Sequence, residues 1–269
     1  MRKAQNGSDD WLADESHALD HSMFENMYVD DKYKLMFCEI PKVACTNFKI
    51  IMLLLTGQMN TTDPMQLRAD KVHGEYAQKY LHKLSSFSDS EIRHKLKNYF
   101  KVMIVRDPLE RLLSAYRNKF TVHYNDYFKL RFGRNIIKKY RQHPTSEALA
   151  TGGDVSFKEF AQYITDPSTL TTGEFNPHWR QYYKLCHPCQ LQYEFVGKYE
   201  SLNEDMAFLL RLLNVDDVIS MPPSRISGTR TSDLMAKYFA NITSEQLHKL
   251  WQVYSTDYNM FGYSYPDFK

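Results

Sequence analysis

Lys34-Leu35-Met36-Phe37-Cys38-Glu39-Ile40-Pro41-Lys42-Val43-Ala44-Cys45-Thr46-Asn47 is an apolar run, then a turn holding a cation, then a hydroxyl that opens a second apolar stretch. The spacing predicts a buried strand over 34–40, a loop over 41–45 and a helix over 46–56, stopped by Thr56-Gly57-Gln58. The pattern occurs twice. Phe100 to Val105 predicts another strand, and Arg106-Asp107-Pro108-Leu109-Glu110-Arg111-Leu112-Leu113-Ser114 leads from it into a helix over 109–120. A strand, a turn with cation and hydroxyl, and a helix together offer backbone N–H groups and a positive helix end to a phosphate. Two such turns predict a ligand with two separated phosphate groups.

The first turn is not a Walker A loop, because no glycine lies between Lys34 and Thr56. Lys42 stands four residues before Thr46, where it can reach a phosphate oxygen while the Thr46 hydroxyl and the amides of Cys45 to Asn47 hold the same group. In the second turn, Arg106 and Ser114 are the pair expected to converge on another phosphate. Asp107, Pro108, Glu110 and Arg111 are expected to shape the turn. A P-loop nucleotide kinase is disfavoured by the missing glycines and by the lack of a clear Walker B acid at a strand end.

With 269 residues, 43% of them hydrophobic, the chain is long enough for one large α/β domain. Strands alternating with helices predict a P-loop-like, doubly wound sheet, mostly parallel, with helices on both faces and ligands at the carboxyl ends of the strands. Residues 1–30 are polar and acid-rich and read as a flexible stem, leaving 31–269 as the folded domain. Helices are further expected over 89–97, 156–164, 201–213 and 243–256, and a strand over 192–197. Lys129, Arg131, Arg134, Lys138, Lys139 and Arg141 fall in a run without an acid, either a solvated helix face or a patch for a polyanion. No apolar run approaches the roughly 20 residues of a membrane span. The polar N-terminus has no signal-peptide core either.

The two turns, continued through Arg111-Leu112-Leu113-Ser114-Ala115-Tyr116-Arg117-Asn118-Lys119-Phe120, Phe175-Asn176-Pro177-His178-Trp179, Leu185-Cys186-His187-Pro188-Cys189, Val196-Gly197-Lys198-Tyr199-Glu200 and Thr229-Arg230-Thr231, resemble the Golgi carbohydrate sulfotransferases. The likeness covers roughly residues 30 to 265 and leans to the chondroitin 4-O-sulfotransferase branch, related to the dermatan and HNK-1 enzymes. It implies the sulfotransferase fold and 3′-phosphoadenosine 5′-phosphosulfate (PAPS) as donor, with no metal required. Pro41, Lys42, Val43, Ala44, Cys45, Thr46 and Asn47 become the 5′-phosphosulfate loop. Arg106, Asp107, Pro108, Leu109, Glu110, Arg111, Leu112, Leu113 and Ser114 become the 3′-phosphate segment, and Arg230 or Thr231 is expected to close over the nucleotide.

The implied acceptor is the 4-hydroxyl of N-acetylgalactosamine in an acidic glycosaminoglycan, chondroitin or dermatan, and not a nucleic acid. Alternatives are an HNK-1-type or terminal N-acetylgalactosamine acceptor, or a non-catalytic glycosaminoglycan-binding protein on the same fold that uses the 129–141 run. Family members are type II Golgi membrane proteins, so the absent anchor suggests a fragment or soluble form. In an oxidising lumen Cys186 and Cys189 are expected to form a local disulfide, with Cys38 and Cys45 left open. Asn6, Asn60 and Asn241 head glycosylation sequons. Lys42 is the expected electrophilic catalyst. A general base is also needed. His73 is the first choice because it lies between the two loops, His178 the second because its segment matches the family, and Glu174 a further one.

Overall fold

The computed structural model describes residues 12, 17–122, 126–171, 175–221 and 229–266. Asn6 and Glu174 lie outside the described residues. The first main elements in chain order are β1 (Met27–Asp30), β2 (Leu35–Cys38), α1 (Cys45–Leu55), β3 (His82–Lys83), α2 (Asp89–Asn98) and β4 (Phe100–Val105). Then come α3 (Pro108–Tyr116), α4 (Arg134–Tyr140), α5 (Phe157–Thr165), α6 (Tyr182–Cys186), β5 (Phe195–Lys198), α7 (Leu202–Leu212) and α8 (Ser244–Phe261). The chain divides into two compact units: Met1–Arg106 with Tyr182–Arg225, and Asp107–Gln181 with Ile226–Lys269.

The first unit holds a five-stranded sheet in the order β3-β1-β2-β4-β5. β2 pairs with β4, and β4 with β5, in parallel, whereas β1 is antiparallel to both of its neighbours. Only β1 therefore runs against the others, which bears out a mostly parallel α/β sheet. Strand β1 falls in the segment read as stem. All four of its residues are buried, so the folded sheet takes in residues ahead of 31. The register Leu35↔Phe100 through Cys38↔Met103 brings the ends of β2 and β4 level. Helix α1 is buried from Phe48 through Leu55, an all-round apolar helix rather than an amphipathic one, and Phe48 stacks on Phe37 of β2 with ring centroids 3.8 Å apart. Helix α2 starts with the Ser88/Glu91 capping box.

Short helix α6 is tied to this sheet at both ends. The Tyr182 hydroxyl at its start donates to the Arg106 carbonyl at 2.7 Å, and Cys186 at its end is disulfide-bonded to Cys38 of β2. The expected Cys186–Cys189 bridge is thus corrected. Cys38 and Cys186 are both fully buried with Cα atoms 5.9 Å apart, while Cys189 is an exposed thiol.

The second unit packs around Trp179, which is fully buried among Phe120, Phe128, Phe132, Phe160 and Tyr163 at centroid distances of 5.1–6.4 Å. Tyr254 of α8 donates to the Trp179 carbonyl at 2.7 Å, and Leu250, Tyr254 and Tyr258 of that helix are buried. The basic run is largely spoken for inside this unit. Buried Lys129 lies 3.7 Å from Asp126, Lys139 is 2.9 Å from Asp166, and Arg141 pairs with Glu159 and Asp154 at 2.7 Å each. Arg134 donates to the Ala150 carbonyl, and Gly152, at φ +64°, lies where a Cβ would meet the Lys129 carbonyl oxygen at 2.1 Å. Neither a bare solvated face nor a bare polyanion patch describes these residues.

The Cys38–Cys186 crosslink closes a loop with a sequence separation of 148 residues. Cys186→Ser is expected to lower unfolding stability by about 2–5 kcal/mol, whereas Cys189→Ser leaves it near the parent value. Non-reducing peptide mapping should recover a Cys38–Cys186 peptide and an alkylated Cys189; a Cys186–Cys189 peptide would contradict the assignment.

Candidate functional site

In the first unit the chain leaves β2 and turns over Pro41–Ala44 before entering α1. Two non-glycine residues of this turn are left-handed: Lys42 at φ 75° and Ala44 at φ 67°. Such backbone persists only where the surroundings over-determine it. Val43 between them is fully buried, and the Lys42 carbonyl accepts from Nη1 of Arg106 at 3.2 Å. Ala44, as the N-cap of α1, supplies no side-chain hydrogen bond to the first turn of this 11-residue helix. The first-turn N–H groups and the positive helix end are thus left to something other than the usual capping side chain.

Arg106 is only 4% exposed. It stands one residue beyond β4, with its guanidinium carbon 4.1 Å from the centroid of the Tyr199 ring, and its backbone N–H donates to the Tyr182 hydroxyl at 3.2 Å. The structure therefore brings Arg106 against the first loop. Ser114 belongs to α3 of the second unit, where it is half-buried. The rest of the second segment has structural work there. Asp107 caps α3 by accepting from the Glu110 N–H at 2.8 Å, and it also accepts from the Tyr258 hydroxyl at 3.2 Å. Pro108 takes the first helical position, where its missing N–H costs no bond. Leu109, Leu112 and Leu113 are core, and Arg111, 1% exposed, donates to the carbonyls of Arg180 and Pro177 at 2.7 Å each.

His73 lies on a π-helical turn, Val72–Tyr76, and reaches the first loop: its Nε2 is 2.7 Å from Thr46 Oγ1. Its Nδ1 is 3.3 Å from Lys49 Nζ and 3.7 Å from Glu39 Oε1. Lys49 and Glu39 are themselves paired at 2.7 Å, and Lys49 Nζ is 4.9 Å from the centroid of the Tyr28 ring. Burial disfavours the Lys49 ammonium, but Glu39 and Tyr28 outweigh that penalty and hold its pKa above the ordinary lysine value. Desolvation, reinforced by Glu39, pushes the Cys45 thiol up, which keeps it protonated and unreactive. The sequence reading did not single out Glu39 and Lys49. The available signal was a lysine inside an otherwise unbroken apolar run, Phe48 to Leu55.

His178 is in the second unit, its ring edge-on to Phe128 with centroids 5.3 Å apart. Asn176 Oδ1 accepts from the His178 backbone N–H at 3.1 Å and lies 2.7 Å from Nδ1. An oxygen accepts both, so Nδ1 of the neutral ring carries the hydrogen and Nε2 the lone pair. Arg117 donates to the Thr231 hydroxyl at 2.9 Å and to the Thr229 carbonyl at 3.2 Å, which fixes the Thr229–Thr231 segment against the end of α3. Among the described residues no group of three or more His, Cys, Asp or Glu is arranged to hold a metal ion, and no helix is long and apolar enough to cross a membrane.

The Sulfotransferase family profile matches residues 25–264. Carbohydrate sulfotransferase 11 of Rattus norvegicus is 43% identical, over 91% of this chain and 68% of that protein. Carbohydrate sulfotransferase 12 of Mus musculus is 39% identical over 90% of this chain and 61% of that protein, and carbohydrate sulfotransferase 10 of Homo sapiens is 34% identical over 97% and 73%. No solved structure matches the chain. With a family match across nearly the whole chain and this level of identity, the chain belongs to the carbohydrate sulfotransferases of the sulfotransferase family.

Proposed function

We propose that this enzyme transfers the sulfuryl group of PAPS to the 4-hydroxyl of N-acetylgalactosamine in a chondroitin- or dermatan-type chain. The observation that carries the donor half is the grip of Arg106 on the Lys42 carbonyl. It joins a buried guanidinium to a left-handed turn that already holds a lysine, a threonine and an uncapped helix start. A lysine, a hydroxyl and helix amides suit one phosphate, and a buried arginine suits another. That donor set fits an adenosine bisphosphate.

In this reading Lys42 neutralises charge on the bridging oxygen and the departing phosphate, and Thr46 with the amides of Cys45 and Asn47 holds the 5′-phosphate. Arg106 and Ser114 are assigned to the 3′-phosphate by the sequence resemblance alone. The bound donor supplies an activated sulfuryl group, and the protein mainly positions the reactants and stabilises charge. The acceptor hydroxyl must lose a proton, and His178 carries its Nε2 lone pair in the tautomer a general base needs. The 4-O position and the chondroitin-type acceptor rest on the sequence resemblance. The Golgi lumen does too, and the Cys38–Cys186 disulfide suits that oxidising compartment. Asn60 and Asn241 are exposed, as glycosylated asparagines must be.

Three measurements test this. Lys42→Ala should cut labelled sulfate transfer by about 10²–10³-fold while leaving the thermal melt in place, the usual size of a lost transition-state contact; full turnover would remove Lys42 from the chemistry. Adenosine 3′,5′-bisphosphate should raise the melting temperature and ATP with magnesium should not, because only the former carries a 3′-phosphate for Arg106. Incubation with a panel of desulfated acceptors and labelled PAPS, followed by disaccharide analysis, should yield 4-sulfated N-acetylgalactosamine. Label appearing only on terminal N-acetylgalactosamine or on glucuronate would reassign the acceptor.

A further inference from the structure

The cluster Glu39, Lys49, His73 and Thr46 crosses from the end of β2 through α1 to the π-helical turn and ends on a hydroxyl of the donor loop. Its hydrogens can be assigned from bonding rules alone. The Lys49 ammonium has donors and no acceptor, so at 3.3 Å it can only donate to Nδ1 of His73. Glu39 Oε1, at 3.7 Å, is too far from Nδ1 to take a hydrogen from it, while it holds Lys49 at 2.7 Å. Nδ1 therefore bears the lone pair, and Nε2 of the neutral ring bears the hydrogen. At 2.7 Å that Nε2–H donates to Thr46 Oγ1. Once Oγ1 accepts from His73, the hydrogen of the Thr46 hydroxyl itself is directed elsewhere.

We infer that Glu39, Lys49 and His73 form a positioning relay that presents the Thr46 hydroxyl as a hydrogen-bond donor to the anion held by the 41–47 loop, His73 serving as a positioning residue and not as the general base. The inference deepens the donor-binding reading above and rests on it for the identity of the anion. The relay is a set of fixed contacts: the Lys49 side chain is 4% exposed and that of Glu39 19%, so the ammonium that sets the tautomer is held from below. It also explains why the apolar helix α1 carries a buried lysine. A lysine there without Glu39 would be an uncompensated charge, and Glu39 without Lys49 would leave the imidazole free to adopt either tautomer.

The test has one readout that does not depend on sulfate transfer. In ¹⁵N spectra of the histidine side chains of the ligand-free full chain, His73 should appear as the Nε2–H tautomer; an Nδ1–H tautomer overturns the relay. Titration with adenosine 3′,5′-bisphosphate then reads its purpose. His73→Ala and Thr46→Val should each weaken binding about tenfold, as expected for one hydrogen bond to a charged group, and the double variant should bind no worse than Thr46→Val alone. Additive losses would overturn the coupling. His73→Gln, which keeps an N–H near the place of Nε2 but cannot accept a proton as imidazole does, should recover most of the affinity and turnover lost in His73→Ala. A His73→Gln variant that binds the bisphosphate normally yet loses kcat by about a hundredfold or more would make His73 the proton acceptor and overturn the inference. If the parent protein bound no adenosine bisphosphate, the donor reading would fail, and the tautomer would still decide whether the relay exists. Thermal melts of each variant separate these outcomes from unfolding.

Discussion

The parallel pairing of β2 with β4 is the constraint from which the rest of the first unit follows. Its register sets Cys38 opposite Met103, so the turns that follow the two strands emerge at the same end of the sheet. Arg106 can then reach the Lys42 carbonyl, and Tyr182 can hold the Arg106 backbone from the other side. The disulfide from Cys38 to Cys186 fastens the helix that carries Tyr182. Remove the register and the two turns lose their common edge; the left-handed conformations of Lys42 and Ala44 would have nothing to hold them.

What could be read from the sequence was what local punctuation encodes. Pro41 and Pro108 follow apolar runs and precede helix formers, so β2, α1, β4 and α3 were legible to within a few residues. The helices expected over 89–97 and 243–256 were legible in the same way, and they stand as α2 and α8. Strand β1 was not, because four residues in a polar, acid-rich stretch give too short a period to register, and their burial comes from β2 and β3 on either side. The disulfide partner of Cys186 was hidden too: only two residues separate it from Cys189, but space, not spacing, chose Cys38. The basic run misled similarly. Besides Asp126 and Asp154, its acids are Glu159 and Asp166, 18 and 27 residues from their partners Arg141 and Lys139, beyond any local reading of the run.

The candidate site divides along the same line. Lys42, Thr46 and Arg106 were visible because they sit at fixed offsets from strand ends. Glu39 and Lys49 were not, since an isolated acid after a strand and an isolated lysine in a helix look like incidental surface charges until the fold buries them together. For the histidines, position alone favoured His73, which the fold does bring to the loop. The direction of its hydrogen bonds is information of a different kind. It depends on Lys49 being a pure donor, just as the tautomer of His178 depends on Asn176 offering an oxygen.

The two helix starts that follow the strands are treated in opposite ways, and this bears on how two phosphates would be told apart. At α1 the cap is an alanine that supplies no side-chain hydrogen bond, and the first turn of this 11-residue helix contains no acid. At α3 the cap is Asp107, whose carboxylate already accepts from the Glu110 amide and from Tyr258. A second dianion at α3 would meet that negative charge, so helix amides cannot be its principal ligand there. Recognition in the second turn must come from side chains, and the cation nearest the strand end is Arg106, immobilised by Lys42, Tyr182 and Tyr199 before any ligand arrives. On the proposed donor reading, one phosphate is left to backbone and dipole at α1, and the other to a guanidinium that is already held in place.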